Sequence, residues 1–276
     1  MAEADRWVAH NGMSDPGRHA GAIAALPAGI EALNEIIQGL LVHTDWASAY
    51  GLDATRLDAA ARTTLPIAER LDDVLLRDPQ PLHTGRPPDR RSPGTCRDFA
   101  LALCSFLRCR NVPARVRCGF AAYFAAEWED HWVCEYWHAK TGAWRLSDPQ
   151  IDQLLRRSNR IAFDPADVPR RSFMSAGEAW SKCRRAGADA GAFGHGSVTG
   201  WWFLKVNVLR DHYVLNGREV SAWDRWREAP QQGRSVPEAE TALLDDLAAR
   251  PEQPLIEIAV DWLERSASDS SDRSLS

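Results

Sequence analysis

The order of elements along the chain predicts an α+β fold. Three observations carry it. Helices come first, from Pro27 and from about Leu65. An amphipathic helix then feeds consecutive antiparallel strands between about positions 114 and 148, and helical patterning returns afterwards. Strands do not alternate with helices, so a parallel βαβ sheet is not expected. The 276 residues are enough for one substantial core or two modest ones.

Residues 1–26 carry Gly12, Pro16 and Gly17 and little periodicity, which reads as loop with a short helix. From Pro27, the residues Ile30, Leu33, Ile36, Ile37, Leu40 and Leu41 recur at steps of three and four, as on one face of a helix. A second helix is expected from about Leu65 to Leu76. The run "RDPQPLHTGRPPDRRSPGT" is rich in breakers and delivers the chain to Cys96 as a loop. Beyond it, Phe99, Leu103, Phe106 and Leu107 have helical period, and Asn111 with Pro113 end that helix. "ARVRCGFAAYF" and "HWVCEYWH" read as strands, and "AKTG" turns the second of these into the return strand "AWRLSD". Further on, "QIDQLLRRSN" is read as helical. "SAGEAWSKCRRAG" is a helix opened by a Ser175–Glu178 capping box. "GADAGAFGHGSVTG" lacks the spacing of a phosphate or dinucleotide loop and reads as a mobile loop. "WWFLKVNVLRDHYVLN", stopped by Gly217, and the pair "VPEAETALLDDLAAR" and "PLIEIAVDWLER" read as helices. "SASDSSDRSLS" reads as a disordered tail.

Composition narrows the possible functions. A net charge of −5 leaves no basic excess for phosphates, so nucleic acid is not expected as the main partner. No apolar run is long enough for a bilayer, and "MAEADRWVAHNGMSD" has no apolar leader segment. The expectation is therefore a cytoplasmic protein without membrane partners. In that compartment six cysteines are expected as thiols, with Cys104, Cys109, Cys118 and Cys134 as core or half-buried residues. There is no C-x-x-C pair, so no metal site is assigned. Twelve tryptophans suit either core filling or an aromatic cleft.

Cys96 stands where the loop becomes a helix. A thiol there meets the positive end of the helix dipole and first-turn N–H groups, which stabilise a thiolate and can hold an oxyanion. His131 opens one strand of the expected hairpin and Asp148 closes the other, so the antiparallel pairing sets these ends side by side. A carboxylate beside an imidazole fixes its tautomer and supports its protonated form. Cysteine, histidine and aspartate then make nucleophile, base and orienter. His138 falls near the turn and Asp130 reads as a surface charge.

The runs "GTCRDFALALCSFLRCRNVPARVRCGF", "DHWVCEYW" and "GAWRLSD" resemble the core of the transglutaminase-like superfamily. The resemblance implies a papain-like α+β fold, with the cysteine helix packed on an antiparallel sheet and flanked by helices. It implies Cys96 as nucleophile, His131 as base and then acid, and Asp148 as orienter. The chemistry implied is acyl transfer through a thioester. Substrates would be small-molecule, peptide or carrier-bound acyl groups, cleaved by water or passed to an amine. Trp46 is the oxyanion candidate, ahead of His43 and Tyr50. Trp132, Trp201, Trp202, Asn207 and Arg210 are candidate substrate walls. Arg115 is expected to brace the sheet or to pair with a carboxylate such as Asp98. No cofactor is implied, and no EF-hand-like loop is present. The chain reads as a single domain over 1–265, helical over 1–90, with a catalytic core over 91–150 and mostly helical structure over 151–265, followed by a tail over 266–276. The competing reading is an inactive binding or scaffold module of the same fold. Oligomeric state is not legible.

Overall fold

A computed structural model of the chain describes residues 2–53, 57, 65–218, 236 and 238–255. Helix and sheet are mixed, as an α+β chain requires. The chain divides into two compact units, one of Met1–Arg117 with Trp132–Arg170 and one of Cys118–His131 with Arg171–Ser276.

In the first unit, short helices α1 (Ala2–Asp5) and α2 (Ala20–Ala24) precede α3 (Ile30–Leu40). The apolar stripe read from the sequence is the buried face of α3, with Leu33, Ile37 and Leu40 at 2% exposure or less. The chain passes straight from α3 into β1 (Leu41–His43), which pairs in parallel with β2 (Ser92–Gly94), setting Leu41 against Ser92 and His43 against Gly94. Helix α4 (Ile67–Arg77) buries Ile67, Leu71 and Val74. Helix α5 (Cys96–Arg108) is buried along its whole length and packs against both α3 and α4. Asn111, with φ of 57°, turns the chain after α5.

Strands β3 (Ala114–Ala121) and β4 (Trp128–His138) both run through the point of division. Strand β5 (Ala143–Ser147) returns antiparallel on β4, from His138↔Ala143 to Cys134↔Ser147. Gly142 takes the left-handed conformation at the turn, φ 60°. After β5 comes α6 (Gln153–Ser158), capped by Asp152.

The second unit holds β6 (Phe173–Ser175), α7 (Ala176–Ala186), β7 (Phe193–His195), β8 (Val198–Thr199), α8 (Trp201–Leu215) and α9 (Glu238–Ala249). The strand order of the large sheet is β6-β3-β4-β7-β8, with β5 paired to β4. The sheet is not wholly antiparallel, because β4 and β7 run in parallel. Phe120, Trp180, Phe193, Phe203 and Leu209 form the core of this unit with α7, α8 and α9. The Ser175–Glu178 capping box is present.

The stretch 187–200, read as a mobile loop, is corrected by β7 and β8. A side chain at Gly194 would meet the Val198 carbonyl at 2.1 Å, so this glycine permits close strand approach. The expected helix "PLIEIAVDWLER", apart from its first residues, and the expected tail lie outside the described residues. Among the described residues, no helix is long and apolar enough to cross a membrane.

Candidate active site

Cys96 is the first residue of the 13-residue helix α5 and is 7% exposed. The helix begins here because Thr95 is extended (φ −117°, ψ 173°) and Asp98 reaches back to it. Thr95 donates to the Asp98 carboxylate from its backbone N–H at 2.8 Å and from Oγ1 at 3.2 Å. Asp98 so placed is a first-turn carboxylate in a capping box.

The approach to Cys96 is fixed from outside the helix as well. The guanidinium of Arg70, on α4, donates to the Pro93 carbonyl at 2.6 Å, to Ser92 Oγ at 3.1 Å and to Asp98 Oδ1 at 3.1 Å. Ser92 Oγ in turn donates to Asp73 Oδ2 at 2.5 Å. Space at Gly94 is tight, since an added Cβ would lie 3.0 Å from the Asp98 Cβ and Oδ2. Arg70 thus ties together strand, cap and helix start. Sequence reasoning missed it, although an arginine on the face shared by Ile67, Leu71 and Val74 was a visible signal.

The imidazole of His43 is buried, stacks on Phe99 with ring centroids 6.5 Å apart, and accepts the Asp45 N–H at 3.2 Å. Trp46 follows in a short 3₁₀ segment, Thr44–Tyr50, and is half-buried. Tyr50 is committed elsewhere, donating to Asp152 Oδ2 at 2.7 Å. Burial and the Asp152 hydrogen bond and charge push its phenol well up.

Asp148 lies just beyond β5 and is fully buried. Its Oδ1 accepts the Gln150 N–H at 3.0 Å, and its own N–H donates to the Pro165 carbonyl at 2.8 Å. Ser147, beside it, accepts from Asn34 Nδ2 of α3 at 3.0 Å. The β4–β5 register ends at Cys134↔Ser147, one residue before Asp148. His131 is 2% exposed in β4, and the rings of Tyr123 and Phe124 stand edge-on to it at 5.7 and 5.0 Å. Cys96 and Asp148 belong to the first unit and His131 to the second.

The remaining candidates are all wholly or partly buried. Trp132 is fully buried. Trp201 is half-buried and edge-on to Trp180 at 5.3 Å, and Trp202 is 4% exposed. Asn207 and Arg210 are fully buried on α8, where Asn207 donates to Asp130 Oδ1 at 2.8 Å. Asp130 is therefore not a surface charge. Arg115 pairs with Glu135 at 2.7 Å, and its guanidinium lies over the rings of Trp7 and Trp144. Arg117 and Arg170 complete the set around Glu135.

None of the six cysteines forms a disulfide. Burial pushes Cys109 and Cys134 above the ordinary thiol range, Cys134 further through its contact with Cys104, and brings Cys183 to about 11. Among the described residues, no group of three His, Cys, Asp or Glu side chains is placed to hold a metal ion. A cleft of about 680 Å³ opens in the first unit, lined by Asn34, Gln38, Arg91, Ile151, Asp152 and Asp164 among others.

Residues 74–149 match the family model of the transglutaminase-like superfamily. The matched stretch runs from within α4 through β5 to Pro149, and Cys96, His131 and Asp148 all fall inside it. No curated protein and no solved structure matches the chain.

Proposed function

We propose that the protein carries out cysteine-dependent acyl transfer, with Cys96 as nucleophile, His131 as general base and acid, and Asp148 as the group that orients His131. The observation that carries this reading is Cys96 at the first position of a capped, fully buried helix, reached through a strand that Arg70 holds in place. A thiol in that position meets the positive end of the helix dipole and the first-turn amides, both of which favour a thiolate. The match over residues 74–149 supports a papain-like arrangement of this helix on the sheet.

In the proposed chemistry His131 takes the thiol proton and the sulfur adds to the carbonyl carbon of an amide or thioester. The C=O electron pair moves onto oxygen, where first-turn amides and the indole N–H of Trp46 would receive it. As the tetrahedral centre collapses, its C–N or C–S bond breaks and the imidazolium gives its proton to the departing amine or thiol. Water or an amine then attacks the Cys96 thioester. His131 accepts the proton of the incoming group, the C–S bond breaks, and the thiolate is restored. The product is an acid or a new amide. An aspartate beside the ring stabilises the imidazolium that each half-reaction passes through.

The test is acylation by p-nitrophenyl acetate, followed by intact mass and peptide mapping. The expected result is a single acetyl group on the Cys96 peptide, lost in Cys96→Ser and formed much more slowly in His131→Ala. Acetyl groups spread over several cysteines, or none on Cys96, would instead point to the inert scaffold.

A further inference from the structure

Helix α8 places an unusual set of buried polar groups behind the strand that bears His131. Successive strand residues face opposite sides of a sheet, so Asp130 looks away from the face of His131 and towards α8. Asn207 Nδ2 donates to Asp130 Oδ1 at 2.8 Å and reaches the Gly119 carbonyl of β3 at 3.4 Å. Arg210 Nη1 donates to Asn207 Oδ1 at 3.0 Å and lies 3.7 Å from Asp130 Oδ2. One turn along, Asp211 Oδ1 accepts the Cys118 N–H of β3 at 3.0 Å. Asn207, Arg210 and Asp211 share one face of the helix, at the spacing i, i+3, i+4. All three are at most 1% exposed, and Asp130 is 7% exposed.

Packing does not require these groups. The same helix already supplies Phe203, Val206, Leu209 and Tyr213 to the apolar core. Replacing a buried ion pair by apolar residues is often neutral or stabilising, so such a set is poorly explained by stability alone. Satisfied buried hydrogen bonds supply direction, because each holds its partner at one distance and angle. Here they hold β3 at Cys118–Gly119 and β4 at Asp130, one residue from His131. On the other side of the strand, Tyr123 and Phe124 stand edge-on to the imidazole.

We propose that Asn207 and Arg210 are positioning residues for His131, acting through Asp130 from the far face of the strand. The inference rests on the reading of His131 as the base of Cys96. It gives these two side chains a role in the chemistry without substrate contact.

The experiment compares native protein with Asn207→Asp, with the exchanged double variant Asp130→Asn/Asn207→Asp, and with His131→Ala. Readouts are the melting temperature and the pH profile of iodoacetamide labelling at the Cys96 peptide. Asn207→Asp keeps the side-chain size but turns carboxylate towards carboxylate. Labelling at pH 6 is expected to slow by about tenfold or more, as for a catalytic group displaced by a fraction of an ångström, and the profile moves towards an ordinary thiol. The double variant restores one amide donor facing one carboxylate and is expected to recover most of the rate. Native labelling in Asn207→Asp, or no recovery in the double variant, overturns the proposal. If Asn207→Asp melts below the assay temperature, Asp130→Asn replaces it. That variant keeps the acceptor for Asn207 but removes the charge facing Arg210, and slowing of about threefold or more is expected, whereas unchanged labelling overturns the proposal. If His131→Ala itself leaves Cys96 labelling unchanged, the acyl-transfer reading and this inference both fall. If His131→Ala slows labelling and the Asn207 variant does not, only the inference falls.

Discussion

Replacing Arg70 by methionine removes the group that ties β2, the cap and the start of α5 together while roughly keeping side-chain volume. The magnitude follows from its partners. Arg70 donates to two neutral oxygens, Ser92 Oγ and the Pro93 carbonyl, and to the Asp98 carboxylate, with both charged side chains at 4% exposure or less. Neutral hydrogen bonds contribute about 1 kcal/mol net and charged ones about 1.5–3. Breaking a buried ion pair from one side costs about 3–5 kcal/mol. Asp98 is not stranded, because Thr95 still donates to it and Arg97 Nη1 lies 3.5 Å away. We therefore expect the low end, about 3 kcal/mol, or a fall in melting temperature of about 5–10 °C. The assay is urea and thermal unfolding beside Arg77→Met, whose partly exposed i,i+4 pair with Asp73 is worth only a few tenths of a kcal/mol, about 0.3–0.5. Cys96 labelling should slow in Arg70→Met and not in Arg77→Met. If Arg70→Met unfolds within about 1 kcal/mol of native, comparable to the control, the tie does not hold the approach to Cys96.

Other outcomes follow from the same bonding. Burial alone would raise the Glu135 carboxyl, but the charges of Arg117, Arg115 and Arg170 outweigh it and bring the group from 4.5 to about 2. That difference corresponds to about 3 kcal/mol of stability, present above pH 4.5 and lost as pH falls towards 2. Melting temperatures of native protein and Glu135→Gln should thus differ most near neutrality and converge near pH 2, whereas a gap independent of pH would refute the assignment. Gly119→Ala should destabilise by about 2–3 kcal/mol or prevent folding, since the new methyl would sit 2.2 Å from the Met174 carbonyl across the β3–β6 pair. A urea midpoint equal to native would show that the strands can part cheaply. Ser175→Ala removes the α7 cap, which accepts the Glu178 N–H and donates to its carboxylate, and should cost about 1 kcal/mol by urea titration.

Local chemistry made much of this legible. The breaker-rich approach and the helical period from Phe99 marked the start of α5 at Cys96, whereas the Thr95–Asp98 capping box that fixes it went unread. Gly142 and the flanking alternation marked the β4–β5 hairpin. Strands β6, β7 and β8 escaped because two or three residues carry no usable period. Their pairing is set by close approach at Gly119 and Gly194, which a sequence records only as glycine. Long-range partners escaped as well. Arg115 could have met any carboxylate, and its choice of Glu135 depends on strands β3 and β4 lying side by side. Asp130 looks like a surface charge until α8 covers it with Asn207 and Arg210. Burial of a charge is a tertiary fact, and charged residues inside an otherwise apolar pattern were its only trace in the chain.

The proposed chemistry requires Cys96 to be an activated thiol served by His131. Its most direct measurement is the rate of iodoacetamide labelling at each cysteine from pH 5 to 9, in native protein and in His131→Ala. Cys96 should label first and well below pH 8, Cys109, Cys134 and Cys183 should lag because burial raises them, and His131→Ala should remove the advantage of Cys96 at low pH. Labelling of Cys96 only as fast as the other five, with the same pH midpoint and no response to His131→Ala, would contradict it.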